Sequence, residues 1–273
     1  MRVCHPSSSR SPESPLASAA MPMLSQPAPR RPRAKPALRA VPPMAIAGAN
    51  VEMRLGDTLV AALPHGALWI ADSKTLIVSD LHLEKGSAFA VRGQMLPPYD
   101  THAALLKLTN LVMELAPEII VSLGDSFHDS GGPARMDARD RELLQLLMSR
   151  CDWVWVEGNH DGRAPETLGG AFHEVLHLGS LVLRHHPTEA AAPGEIAGHM
   201  HPCARVVGRG RSVRRRCFAT DGARMVMPAF GAFTGGLNVC DPAYAKIFPD
   251  GATALVLGKD RVLPAPNERL VSD

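Results

Sequence analysis

The stretch Thr75-Leu76-Ile77-Val78-Ser79-Asp80-Leu81-His82-Leu83-Glu84-Lys85-Gly86 joins an unbroken apolar and β-branched run to an aspartate and a histidine two positions apart. A continuous run of that kind suits a strand buried on both faces, with no alternating polar side for solvent. The Asp–His pair then falls just past the carboxyl end of the strand, the edge of an open α/β sheet where ligands collect. Moving outward, the same arrangement recurs. Glu118–Leu123 runs into Gly124-Asp125, and Trp153–Glu157 runs into Gly158-Asn159-His160-Asp161. Ser180–Arg184 runs into His185-His186, and Glu195–Gly198 runs into His199-Met200-His201. Glycines at 124, 158 and 198 stand where the backbone must turn tightly.

Further strands are expected at Thr58–Leu63, Ala67–Ala71 and Ala252–Gly258. Helical spacing places Leu105, Leu108, Val112 and Leu115 on one stripe of a helix over Tyr99–Leu115. A second helix, Asp137 to Ser149, carries Leu143, Leu144 and Leu147. Strands alternating with helices predict a layered α/β domain, a single one from Val51 to Asp273.

Each strand-end cluster is ordinary by itself. An isolated D-x-H is commonplace in surface loops, and Gly-Asn-His-Asp reads as a turn. Five of them in succession, each after a strand, point instead to one metal site. The donors are imidazoles, carboxylates and one carboxamide, with no thiolate. That set suits Mn²⁺, Fe²⁺ or Zn²⁺ and disfavours a structural zinc–thiolate centre. Seven candidate ligands exceed what one ion takes from protein, whereas two ions sharing a carboxylate, about 3.5–4 Å apart, use them all.

In this order, D-x-H, G-D, G-N-H-D, a strand-end His and G-H-x-H, the chain resembles the calcineurin-like metallophosphoesterases. More narrowly, Ser79–Gly86, Leu183-Arg184-His185-His186-Pro187 and the Arg-rich stretch after Pro202 are similar to the bacterial ligase-associated DNA damage response endonucleases. The resemblance implies a four-layer αββα sandwich and a dinuclear phosphoesterase. Asp80, His82 and His201 would hold one ion, and Asn159, a strand-end His and His199 the other, with Asp125 bridging. His185 directly follows its strand, where the family places the ligand; His186 is the runner-up. His160 matches the family histidine that protonates the leaving oxygen or stabilises the transition state, with hydrogen bonding to a ligand as its plainer role. The implied cofactors are two divalent ions, Mn²⁺ favoured over Fe²⁺ or Zn²⁺. The implied substrate is DNA in damage repair, in company with an ATP-dependent DNA ligase, a helicase and a metallo-β-lactamase-type nuclease. Two departures bear on substrate: His128 stands where many members carry an acid, and His186 replaces a glycine. A small phosphomonoester or nucleotide hydrolase, and a silent binding scaffold, are the alternatives.

Arg205, Arg209 and Arg211 open an arginine-rich run, continued by Arg214, Arg215 and Arg216, that fits phosphate-backbone binding or a solvated hairpin. Lys85, Arg92 and Arg163 follow motif loops and are weaker candidates. Asp161 is expected to shape its turn, and Gly231–Gly236 to be a loop packed near the sheet.

Bulk composition sets the outer bounds. Of 273 residues, 29 are Lys or Arg and 27 Asp or Glu. Residues 1–48 hold seven of the basic residues but only Glu13, with ten prolines and seven serines. This stretch is expected to be a disordered basic tail, or to precede a true start at Met44 or Met53; non-specific contact with nucleic acid is a third reading. The remaining body is acidic, so bulk charge gives no case for nucleic-acid binding. No apolar run is long enough for a membrane span. Five scattered cysteines (Cys4, Cys151, Cys203, Cys217, Cys240) suit a reducing compartment, and a cytoplasmic location is expected.

Overall fold

The computed structural model describes residues 50–189, 192–208 and 210–273. The expected tail, 1–48, and Arg209 lie outside them. The first sheet begins with β1 (Val51–Leu55), β2 (Thr58–Ala62), β3 (Leu68–Ile70) and β4 (Thr75–Val78), each antiparallel to the one before. Helices α1 (Lys85–Val91) and α2 (Asp100–Leu115) carry the chain to β5 (Ile119–Leu123). Helices α3 (Gly132–Arg135) and α4 (Ala138–Met148) lead to β6 (Asp152–Val156), followed by β7 (Ala171–His173). Strands β4 to β7 are parallel neighbours, so their carboxyl ends share one edge.

The second sheet contains β8 (Val175–Leu178), β9 (Leu181–Arg184), β10 (Glu195–Ala197), β11 (Pro202–Gly208) and β12 (Arg211–Thr220). It is completed by β13 (Met225–Val226), β14 (Leu237–Asn238), β15 (Thr253–Leu257), β16 (Val262–Ala265) and β17 (Leu270–Val271), with α5 (Pro242–Ile247) between β14 and β15. Here β9, β10 and β13 run parallel. Strands β11 and β12 form a hairpin pairing Cys203 with Arg216 through to Gly208 with Arg211.

Alternation within the strands divides the apolar residues among three cores. Leu76, Val78, Ile120, Trp153 and Trp155 point outward and meet Leu105, Leu108 and Leu111 of α2 and Leu144 and Leu147 of α4. Ile77, Val121, Leu123 and Val156 point inward onto Leu181, Leu183, Ile196, Phe218 and Leu255 of the second sheet. The far face of that sheet, with Cys217, Ala219, Ala254 and Val256, packs on Tyr244, Ile247 and Phe248 of α5 and its end. The four expected layers are therefore present, but the last is one helix of six residues.

Both predicted helices form, at Asp100–Leu115 and Ala138–Met148, the latter capped by the Asp137 carboxylate accepting from the Asp140 amide. Helix α1 carries no such signal. It is short, begins after a left-handed Glu84, and is moored by Gly86 N donating to the Asp100 carboxylate at 3.0 Å. No helix among the described residues is long and apolar enough to cross a membrane.

Candidate metal centre

The ends of β4, β5, β6, β9 and β10 converge, and all seven candidate ligands come together. Asp80 Oδ1 lies 3.1 Å from His201 Nε2, which lies 3.2 Å from His82 Nε2. His185 Nε2 lies 3.0 Å from Asn159 Oδ1, 3.3 Å from Asp125 Oδ2 and 3.3 Å from His199 Nδ1. The carboxylate of Asp125 sits between these two groups, 3.9 Å from His82 and 3.3 Å from His185. Asp80, His82, Asp125 and His185 are buried, while Asn159 is exposed and His199 and His201 are half-buried. The centre thus has a closed floor and an open mouth. His186 is exposed and lays its ring against His199, with centroids 3.5 Å apart, and it too offers a nitrogen within 4.8 Å of those of His185 and His199.

Two carboxylates in this floor carry charge out of water, and among the described residues no Lys or Arg pairs with either. Burial opposes their ionised forms, but imidazole hydrogen bonds outweigh it and hold both Asp80 and Asp125 below the usual carboxylate range. Burial pushes His82 down to about 3 and His199 to about 4, keeping their rings neutral and their nitrogen lone pairs available. His185 goes the other way: burial alone would lower it, but Asp125 and Asp80 raise it. Donor trios such as Asp80–His82–His201 and Asp80–Asp125–His185 have their ligand atoms within 4.8 Å of one another. Paired buried anions surrounded by imidazole nitrogens, with no Lys or Arg beside them among the described residues, are what divalent cations complete, so the residues fit the ions the sequence implies.

The backbone is specialised to present these groups. Asp80, His82, Asp125, His199 and His201 all adopt left-handed conformations, with φ between 44° and 67°. Asp and His are among the residue types that tolerate this region, and such positions cluster at functional sites. The alternate residues 80 and 82, like 199 and 201, thereby project into one centre. Close approach constrains the glycines as well. A Cβ on Gly158 would lie 2.0 Å from the Asp125 backbone nitrogen, and one on Gly198 2.1 Å from Ser79 Oγ.

His160 stands at the mouth, its side chain 41% exposed and its Nε2 3.8 Å from Asp125 Oδ2. Its backbone amide donates to Asp125 Oδ1 at 2.9 Å. Its Nδ1 faces the carbonyl of His128 at 3.1 Å, and since a carbonyl only accepts, Nδ1 carries the proton and Nε2 is left to face the site. The His128 ring stacks on His160 with centroids 5.4 Å apart. Asp161 ties its own loop down, its Oδ2 accepting from the Phe127 amide at 2.9 Å, as expected of a turn-shaping residue. Burial, helped by Asp125, pushes its pKa up to about 7.

The sequence had no signal for several supporting groups. Ser79 donates to Asp80 Oδ2 at 2.5 Å. Thr101 accepts from the Glu84 amide and donates to the Glu84 carboxylate, fixing the loop after His82. The Gly231–Gly236 loop does pack on the site: Phe230 and Gly231 amides donate to the Ser79 and Asp80 carbonyls. Arg216 holds that loop through the carbonyls of Ala229 and Gly231 and the hydroxyl of Thr234.

The arginine run is therefore mixed in role. The hairpin reading holds, with Arg216 spent on the loop and Arg214 on Asp273 and the Gly236 carbonyl. Arg205 lies four residues beyond His201 on β11, about 13 Å at ~3.3 Å per residue, and Arg211 faces Gly208 at the tip, about 23 Å away. Arg163 pairs with Glu166 and covers the Phe172 ring rather than the centre. Lys85 is nearer, with Nζ 5.9 Å from the Phe89 ring, which contacts His128.

Comparison with known proteins agrees with this geometry. Residues 73–210 match the calcineurin-like phosphoesterase family, and the chain belongs to it. It is a metal-dependent phosphoester hydrolase. Among solved structures, a nuclease of Pseudomonas putida, MPE, is similar at 28% identity and a TM-score of 0.62, over 79% of this chain and 100% of that one. The Escherichia coli phosphoesterase Yfce is more distant, at 15% identity and a TM-score of 0.35, over 70% and 98% of the two chains. No curated protein matches the sequence.

Proposed function

We propose that the protein is a phosphodiesterase acting on DNA, a nuclease of nucleic-acid repair, with two Mn²⁺ ions as the favoured cofactors. The observation that carries this is the likeness to the P. putida nuclease over that protein's whole length. The open mouth at Asn159 and His160 supports it, because a phosphate inside a polymer has to enter laterally. Asp80, His82 and His201 would hold one ion, Asn159, His185 and His199 the other, and Asp125 both. Bound there, the ions supply Lewis-acid polarisation of the phosphoryl oxygens and lower the pKa of an attacking water.

The chain's own residues do the rest. The buried floor of Asp80 and Asp125 concentrates negative charge where cations bind and keeps bulk water from one side. His160, with Nδ1 already committed to the His128 carbonyl, presents Nε2 to the site as the atom from which a proton would pass to the departing oxygen. Arg205 and Arg211 would contact the backbone beyond the scissile bond, on a long substrate only.

The test is turnover of purified protein with Mn²⁺ on a bis-aryl phosphodiester, an aryl phosphomonoester, and single- and double-stranded DNA. Cleavage of the diester and of DNA is expected. Cleavage of the monoester alone would replace this reading with that of a small phosphomonoester hydrolase. Metal binding without turnover on any substrate would make the protein a scaffold.

A further inference from the structure

The far face of the second sheet is only partly covered. Helix α5 shields Ala204, Cys217, Ala219 and Ala254, but the face continues beyond it. There, Val206, Val213, Val256, Leu263 and Pro264 floor a groove of about 580 Å³, the size of a ligand-binding cavity. Val213 is 46% and Leu263 49% exposed, unusually open for residues of their kind grouped together. Arg211, Arg215, Lys259 and Arg269 line it as well. No carboxylate lines it among the described residues, and none of these four cations forms an ion pair there.

We propose that this groove docks an acidic, apolar-studded peptide segment of a partner protein, with aliphatic or aromatic side chains on the valine–leucine floor and carboxylates against Arg215, Lys259 and Arg269. Charge complementarity selects this occupant. The chain's own residues 1–48 are basic and would be repelled by the rim. A nucleic-acid strand would satisfy the cations but not the floor, which offers no aromatic ring on which a base could stack. The mode is side-chain docking rather than strand addition. Among the described residues strand β16 pairs with β15 alone, yet Pro264 removes a backbone donor from it. None of its lining residues belongs to the metal centre, and Arg211, given above to a long substrate, is left unchanged in the test.

Fluorescence anisotropy of the full chain tests this with three labelled probes: a synthetic peptide of repeated Asp-Leu-Asp-Phe units, its Lys-Leu-Lys-Phe counterpart, and an oligothymidylate. The acidic peptide should bind and the basic one should not. Lys259→Glu combined with Arg269→Glu should weaken the acidic peptide about tenfold, the worth of losing two complementary contacts. Leu263→Asp should weaken it similarly. Both variants should keep wild-type melting temperature and turnover on a bis-aryl phosphodiester. Equal binding of the two peptides, or acidic-peptide binding unchanged in both variants, would overturn the proposal. So would oligothymidylate binding lost in the charge-reversed variant, which would make the groove a nucleic-acid track. Concentration-dependent self-association abolished by Leu263→Asp would assign the face to a second copy instead.

Discussion

Replacing Gly158 by alanine should disable the centre without touching a ligand. The backbone at Gly158 is not left-handed, so alanine carries no conformational penalty and the contact is isolated. The new Cβ would lie 2.0 Å from Asp125 N and 2.3 Å from Asp125 Oδ1, where ordinary contact begins near 3.4 Å. The 158–161 and 125–127 loops must separate by about 1.4 Å, and a misplacement of ~1 Å costs on the order of 10²-fold in rate. The same separation breaks the 2.9 Å bonds from His160 N to Asp125 and from Phe127 N to Asp161. With about 1–3 kcal/mol for each, the loss is roughly 2–6 kcal/mol, or about 4–24 °C in melting temperature for a body of this size. Turnover on a bis-aryl phosphodiester, calorimetric metal titration and a thermal melt would read the three effects. Gly208→Ala, with open space around the new Cβ, is the neutral control. Wild-type turnover and melting in Gly158→Ala would show that the loops do not depend on this contact.

Three other outcomes are expected. Asp125→Asn should reduce bound metal from about two ions per chain toward one or none by elemental analysis; two ions retained would end its bridging role. His160→Ala should keep the metal but lose roughly 10²–10⁴ in turnover, less for a p-nitrophenyl leaving group than for an alkyl one. Equal losses on both would refute proton donation. Lys107, whose Nζ lies 3.7 Å from the Phe230 ring centroid, is pushed down from 10.5 to about 7 by burial, with Arg216 adding to it. Between those values the unfolded chain holds the proton and the folded one does not, so stability should rise with pH from about 7 to 10. Lys107→Met should flatten that rise in melts across the range, and an unchanged slope would remove Lys107 as its source.

The candidate site was more legible in the sequence than the second sheet. Asp, Asn and His are donors suited to divalent ions, and parallel strands deliver such groups at their carboxyl ends, so Asp80, Asp125, Asn159 and His199 stood out after apolar runs. Helices α2 and α4 were equally visible, since each buries one stripe. Strands β13, β14 and β17 have two residues each, too few to leave a periodic trace, and β14 and β17 exist only through pairing with distant β11. In β11 and β12 arginines fall on both faces, masking alternation; one side of the strand holds the Gly231 loop and the other borders the groove. The αββα expectation overstated the last layer because nothing local in the sequence reports how much of a sheet face a later helix will cover.

The left-handed backbone at Asp80, His82, Asp125, His199 and His201 also governs which replacements at these positions can be interpreted. Each residue answers two demands at once, a donor for the centre and a side chain the local geometry accepts. Alanine or valine fails both, so a dead alanine variant confounds chemistry with folding. Asparagine keeps the geometry and a donor oxygen but loses the charge, and is the informative substitution for the two aspartates. The same asymmetry shapes drift: a descendant that abandoned hydrolysis would be expected to carry Asn or Gly at these five positions, leaving a recognisable scar of the lost centre in an otherwise intact fold.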